Sequence, residues 1–512
     1  MTTFVSILKW QEKEYLDIWL QTPFYFCLFV DAEIYDWTKQ RVNPRFTVSV
    51  LPSYLPTNAH LPAVRNTEKD TEKYLWYLHL KPYCVYETTL KNPFNTALFA
   101  FIDFDAPRYC RPSFHLGVLP DEDILYVPGC WAQRPVDKDH VCWRFCGSFF
   151  WGTAKGVKRL KTLYDEHWLE YRGEQLTWEV NFWAWLEMHK GWRPRWYQAD
   201  HNDSLVQIPT CLHDIKTVTY DYPNLLPYRP MSAAFVEFKG EQILNTRYVN
   251  YWIQENGGYW FPENERVIRT KNVMSRLKDY TPIDYQEVPE LPSEKEAFSE
   301  GVEDIRLYAT DRIRFIGSTL QHSYCDKMRM VVGDYDGTLR NVRCIRPPEE
   351  TWCEKNWAPV PLPSCEGFVY KWHPLEIGKI VDDKLEIVIR HATPECFAQL
   401  KGSTPFVPYE TQTCETSETC ETGQTSETGK WVAIAHFSEE TSPRRYFHRV
   451  IVLDRELKVY KYSGAFCFLK EGVEFCVGMA WNNGTIRAWI SQMDRDPVMV
   501  EFQNNVIGYI KL

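Results

Sequence analysis

The feature that most constrains this chain is a change of texture between residues 212 and 225. Before it, apolar residues recur at helical spacing. In KGVKRLKTLYDEHW, Val157, Leu160, Tyr164 and Trp168 fall on one face. In LTWEVNFWAWLEMH, Trp178, Phe182, Trp185 and Leu186 do the same, with Glu179 about 100° round on the edge of the stripe. The strand-like runs FVSILKW and NTALFAFIDF lie among these helices, and that alternation predicts an α/β unit over residues 1–215. After the change, helical periodicity fades. AAFVEFKGEQILNTRYV, DDKLEIVIRH, HRVIVLDRELKVYKYSG and VGMAWNNGTIRAWIS read as hairpins, with Lys-Gly, Asp-Asp, Asp-Arg and Asn-Asn-Gly at their turns. Many short strands at regular spacing predict a propeller or a large sandwich over residues 220–512. No strict repeat decides between the two.

Size and composition agree with two units. A chain of 512 residues exceeds one ordinary core. Aromatic residues make up 15% of it, enough to build large cores and leave rings for stacking on sugar faces. The net charge is −10 and the Lys and Arg residues are dispersed, which excludes a nucleic-acid backbone binder. The 16 cysteines include no CxxC pair. The N-terminus lacks the basic start and apolar run of a signal peptide, and no stretch reaches 18 apolar residues. These features predict a cytoplasmic, intracellular protein with reduced thiols and no membrane span. Two stretches lack core-forming residues. Residues 288–301 read as a loop, and the Thr/Glu/Ser repeat at 409–430 reads as a disordered insertion in an overgrown hairpin.

The first chemical signal is FAFIDFDAP, where Asp103 and Asp105 stand at the exit of an apolar strand. In extended chain two such carboxylates face opposite ways. A turn just after the strand lets both converge on one hard divalent cation, Mg²⁺ or Mn²⁺, able to bridge to a diphosphate. TFVSIL, NTEKDTEKYLWYLHLKP, NPFNTALFAFIDFD, CGSFFWGTAKGV, LTWEVNFW and WYQADHNDSLVQIP together resemble the HtrL/YibB-like proteins. That resemblance implies a Rossmann-like glycosyltransferase domain of the GT-A type. It makes Asp103 and Asp105 the metal and nucleotide-sugar pair and His201 a third metal ligand. Glu179 becomes the catalytic carboxylate facing the acceptor.

The second signal is a set of charged clusters in aromatic, strand-like surroundings, where charge is costly unless it pairs or meets a ligand. They are Glu303, Asp304 and Arg306 in EGVEDIRLY; Glu354, Lys355 and Asn356 in CEKNWAPV; His373 in FVYKWHPLEIGK; Arg444, Arg445, His448 and Arg449 in SPRRYFHRV; and Glu474 in KEGVEFCVGMA. GVEDIR, EKNW and HP, after SAAFVEFKGEQILNTRYVNY, resemble the five-bladed β-propellers of the β-mannoside phosphorylases and related β-mannosyltransferases. The resemblance implies that Asp304 is the general acid. Arg306, Lys355, Asn356, His373, Arg445 and His448 would then hold phosphate or a phosphate leaving group. Phosphorylases of that group usually carry proline where this chain has Ile305, a departure that bears on phosphorolysis rather than on fold.

These readings combine into one expectation: a two-domain hexosyltransferase that takes a nucleotide sugar to a glycan acceptor. The first domain would be Mn²⁺- or Mg²⁺-dependent, and the second would make another transfer, mannosyl-like in kind. A glycoside phosphorylase or hydrolase with an accessory N-terminal domain is the first alternative. A carbohydrate-binding protein without activity is the second.

Overall fold

A computed structural model gives the architecture. It describes residues 1–54, 59–112, 114, 116, 124–131, 133–254, 256–262, 266–363, 365–409, 429–439 and 444–512. Most of the Thr/Glu/Ser insertion, residues 410–428, therefore lies outside the described residues. The chain forms two compact units, Met1–Ile208 and Pro209–Leu512.

The first unit is an α/β layer structure. Its strands are β1 (Thr2–Leu8), β2 (Tyr25–Val30), β3 (Phe46–Val50), β4 (Leu98–Ile102), β5 (Leu125–Gly129), β6 (Phe149–Thr153) and β7 (Arg195–Gln198). They form one sheet in the order β3-β2-β1-β4-β6-β5-β7. β1 runs parallel to β2 and β4, whereas β6 runs antiparallel to β4 and β5. The helices are α1 (Leu16–Leu20), α2 (Tyr35–Lys39), α3 (Glu72–Lys91), α4 (Ala154–Arg172) and α5 (Glu179–His189). Strand alternation supplies both faces of the sheet. Val5, Ile7, Phe99 and Phe101 pack into one core with Val157, Leu160 and Phe182. Phe4, Leu8, Ala100 and Ile102 pack into the other with Trp19 and Tyr197.

The second unit is almost wholly β, with sheets in a propeller-like arrangement. Three sheets have four antiparallel strands each: residues 303–345, residues 358–391, and residues 474–503 completed by Lys216–Thr219. A six-stranded sheet begins at Arg229 and an eight-stranded sheet is centred on Lys430–Glu439 and Arg445–Leu453. The resemblance implied a five-bladed propeller; the blade count differs, since only these three sheets are regular four-stranded ones and the two larger sheets branch off their main strand order. The unit also begins earlier than residue 220. Lys216–Thr219 pairs with Val498–Glu501, and Thr210–Cys211 pairs with Phe466–Cys467. These early residues supply partners to strands whose backbone groups would otherwise be left at open edges. Among the described residues, no helix is long and apolar enough to cross a membrane.

Candidate functional site

In the first unit, a cavity of about 1250 Å³ opens where β4 ends. The chain turns there as expected: the amide of Ala106 donates to the Asp103 carbonyl (3.0 Å) and that of Arg108 to the Asp105 carbonyl (3.0 Å). The two carboxylates nevertheless take different partners. Asp103 Oδ1 lies 3.1 Å from Lys81 Nζ, and Asp105 Oδ2 lies 3.0 Å from Arg108 Nη1. Lys81 also donates to Glu179 Oε1 at 2.8 Å and to the Gly147 carbonyl at 2.9 Å. A side chain at position 147 would stand 2.0 Å from Glu179 Oε1, so glycine is what admits Glu179. Burial pulls the Lys81 ammonium toward its neutral form, but the adjoining Asp103 and Glu179 outweigh it and raise its pKa overall. Burial pushes Asp103 up, and Lys81 and Lys9 more than reverse this, so it stays ionised below the usual range.

The expected metal set is not assembled. His201 follows β7, its ring against Trp143 with centroids 4.9 Å apart, and the Cys130 and Cys146 thiols stand close to it. Among the described residues, Asp103, Asp105 and His201 form no three-ligand cluster. Glu179, placed at the start of α5, is 3% exposed and bound to Lys81 in the wall of the cavity. Lys81 went unread in the sequence. Its signal was there: it lies on the buried stripe of α3 with Leu78 and Val85.

The second unit gathers charge around Asp304. Glu303 opposes Ser318 and Arg306 opposes Ile316, so the strand Glu303–Ala309 bulges at Asp304 and Ile305. Asp304 takes a left-handed backbone, φ +49°, which turns its carboxylate out of register, while Ile305 sinks into the core beside Leu307 and Phe315. Arg247, on the neighbouring six-stranded sheet, bridges the acidic pair. Its Nη1 is 2.6 Å from Asp304 Oδ1 and its Nη2 is 3.4 Å from Glu303 Oε2. Lys355 Nζ reaches Glu303 Oε2 at 3.0 Å. Arg306 faces protein acceptors: its Nε donates to the Ser403 carbonyl (2.6 Å), Nη1 to the Asp304 carbonyl (3.0 Å) and Nη2 to Asn356 Oδ1 (2.8 Å). Ser403 Oγ lies 2.8 Å from His436 Nδ1, and His448 opposes His436 on the adjacent strand. Burial keeps both imidazoles neutral; that of His448 is pushed down to about 3.

One carboxylate here was missed. Asp494 sits with Met493 in a two-residue hairpin turn where both have positive φ, and Tyr251 OH donates to its Oδ2 at 3.2 Å. Burial, tempered by Arg247 and reinforced by the negative charge of Asp304, raises its pKa from 3.8 to about 6. Burial also pushes Asp304 up, but Arg247, Lys355 and Arg306 more than offset this, so its pKa falls below the ordinary value. The sequence offered only the turn signal of SQMDRD, which reads equally as a plain hairpin.

Asp304, Arg306, Lys355 and Asn356 are thus brought together, with His448 one layer behind. Arg445 is instead held by Glu439 (3.0 Å) and Glu471 (3.3 Å), and His373 Nδ1 by Thr393 Oγ1 (3.1 Å). Glu474 accepts from the amides of Phe468, Leu469 and Lys470 and so fixes a loop. Glu354 accepts from Trp357 Nε1 at 2.9 Å.

No protein-family model matches the sequence, and neither does any curated protein sequence. Similar solved structures include the β-1,2-mannobiose phosphorylase of Listeria innocua, 14% identical, covering 57% of this chain and 98% of its own, with a TM-score of 0.38. A glycosyl hydrolase of Bacteroides ovatus is 11% identical, with coverages of 54% and 85% and a TM-score of 0.34. The GH43_1 enzyme of Xanthomonas citri, complexed with xylotriose, is 7% identical, with coverages of 55% and 90% and a TM-score of 0.34. The expectation of a two-domain nucleotide-sugar transferase is corrected on the geometry of the first unit: the carboxylate pair expected to clamp a diphosphate is bound to Lys81 and Arg108 instead.

Proposed function

We propose that the second unit cleaves glycosidic bonds, and that the first is its accessory, carbohydrate-binding partner. The observation that carries this is the divergence of two acids in one cluster: Asp304 held ionised, Asp494 holding its proton up to about pH 6. Glycoside cleavage needs that division of labour. Asp494 gives its proton to the leaving oxygen as the C1–O bond breaks. The Asp304 carboxylate takes a proton from the incoming water, whose oxygen bonds to C1 through an oxocarbenium-like state. This reverses the role the resemblance gave Asp304, since a carboxylate clamped by Arg247 is a poor proton donor.

The resident cations favour water over phosphate as the attacking group. Arg306 and Arg247 are engaged by protein oxygens. Lys355, with a side chain 34% exposed, leaves phosphorolysis as a second reading. In the first unit, Trp10, Tyr74, Tyr109 and Trp143 line the cavity and offer ring faces for sugar stacking. The test incubates the protein with β-mannosides and a panel of other oligosaccharides, with and without inorganic phosphate. Free reducing sugar without phosphate is the expected result. A sugar phosphate formed only with phosphate establishes the second reading. No cleavage by protein whose Asp304 and Asp494 are intact sinks both.

A further inference from the structure

Three donors of a different chemistry meet in the first unit, and one of them, His201, lines the same cavity as Asp103 and Glu179. Cys130 directly follows β5, Cys146 lies in the turn before β6, and His201 follows β7. Their ligating atoms all lie within 4.8 Å of one another. The backbone fixes this convergence. The Cys146 amide donates to the Pro128 carbonyl (2.7 Å), the Cys130 amide to the Trp143 carbonyl (3.0 Å), and the Ala199 amide to the Gly129 carbonyl (2.9 Å). Gly129 allows the approach, because a side chain there would stand 1.8 Å from the Arg144 carbonyl oxygen. His201 is oriented by rings on two sides, Trp143 at 4.9 Å and Tyr109 at 6.2 Å between centroids. Asp200 stands at the edge of the group, its Oδ1 3.9 Å from Cys130 Sγ and 3.7 Å from His201 Nδ1.

We propose that Cys130, Cys146 and His201, with Asp200 as fourth donor, form a zinc site. The donor set decides the metal class: two thiolates and an imidazole select Zn²⁺ over the hard cations Mg²⁺ and Mn²⁺. The spacing agrees. With Zn–S bonds of about 2.3 Å, two thiolates on a tetrahedral zinc stand about 3.8 Å apart. The two sulfurs here are 3.5 Å apart, far beyond a disulfide bond of about 2.05 Å. Binding Zn²⁺ displaces the thiol protons and ties together the ends of three neighbouring strands. Cys146 is fully buried while His201 lines the cavity, so the ion would sit in the wall of the cleft.

The experiment uses the full chain free of any histidine tag, loaded with ZnCl₂, desalted, and assayed for metal by mass spectrometry. About one zinc per chain is expected for the parent and for C353S, an exposed cysteine elsewhere. C130S, C146S and H201A should each retain less than a fifth of that, with unchanged far-UV circular dichroism. Should C146S misfold, H201A and the cobalt-loaded parent decide. Co²⁺ should give a thiolate charge-transfer band that C130S weakens. Parent protein that retains no zinc, variants that retain as much as the parent, or a Cys130–Cys146 disulfide in the native protein would each overturn the site.

Discussion

Each unit buries one cation between two carboxylates, yet only one of the two clusters is equipped for acid chemistry. In the first unit Lys81 lies between Asp103 and Glu179. In the second, Arg247 lies between Glu303 and Asp304, and Lys355 adds a further charge. The difference is Asp494. Burial raises its pKa to about 6; Arg247 only tempers the rise, and the negative charge of Asp304 adds to it. A carboxylate clamped by a buried cation is fixed in its ionised form and works as a strut or a base. Proton donation near neutrality falls to the carboxylate left over.

The largest effect tests whether each cluster belongs to its own unit. Fragments 1–208 and 209–512 should fold separately. A fragment starting at residue 220 should aggregate, because it loses Lys216–Thr219 from the last four-stranded sheet and Thr210–Cys211 from the eight-stranded one. Circular dichroism and gel filtration of the three fragments check this. A well-folded 220–512 fragment would show that the early strands are dispensable.

Next come the acids. Asp304→Asn and Asp494→Asn should each lower glycoside cleavage by about 10²–10⁴, the usual range for a general acid or base. Asp103→Asn should leave it within a factor of about two. The pH profile sharpens the contrast. Asp494 holds its proton above the ordinary carboxylate range, so cleavage should decline as pH rises through about 6. Asp304 is shifted the other way and stays ionised throughout that window. Asp494→Asn should erase the alkaline limb, and a limb that survives in this variant would place the acid elsewhere. The same shift makes the contribution of Asp494 to stability fall as pH rises from 3.8 to about 6, because the folded state binds that proton more tightly.

Removing the central cations should separate the clusters by stability. Arg247→Leu strands Asp304, whose side chain is 12% exposed, leaves Glu303 to Lys355 alone, and should cost about 3–5 kcal/mol. Lys81→Met strands Glu179, but Asp103 is 28% exposed at the cavity and can turn to water, so about 1–3 kcal/mol is expected. Denaturant melts of the two separate fragments would show it. Equal losses would mean that the cavity does not relieve Asp103.

What the sequence disclosed follows the range of the interactions. The helical stripe of Val157, Leu160 and Tyr164 and the alternation in β1 and β4 are local patterns, and they packed as their spacing predicts. Asp304, Arg306, Lys355 and Asn356 were legible because each lies in a short charged motif among apolar residues. Arg247 and Asp494 were not, because nothing beside them in the chain announces a partner 57 or 243 residues away. The pair Asp103 and Asp105 misled for the converse reason. Adjacency in sequence suggested a shared ion, while Lys81, on another element, had already claimed Asp103. His201 was singled out beside Asp103 and Asp105, but the ligand-type side chains that stand closest to it, Cys130 and Cys146, come from other strand ends.

The smallest effect concerns the Thr/Glu/Ser insertion, whose flanking residues Tyr409 and Lys430 belong to neither cluster. Tyr409 and Lys430 are directly opposed partners in an antiparallel ladder, so the insertion joins two points one strand-width apart. Its two ends are fixed without it. Lys461 Nζ donates to Tyr409 OH at 2.6 Å, and Lys430–Glu439 pairs along its length with Arg445–Leu453. A Thr/Glu/Ser repeat has little apolar surface to offset the entropy of ordering it. Replacing residues 410–429 with a two-residue Asn-Gly turn suits the geometry of such a hairpin. Stability should change by no more than about 0.5 kcal/mol, as for other surface changes, and glycoside cleavage should be unaltered. Thermal melts and initial rates on the shortened chain measure both. A clear drop in rate with stability preserved would give the insertion a role in substrate capture, and would attach a third element to a chemistry here assigned to Asp304 and Asp494.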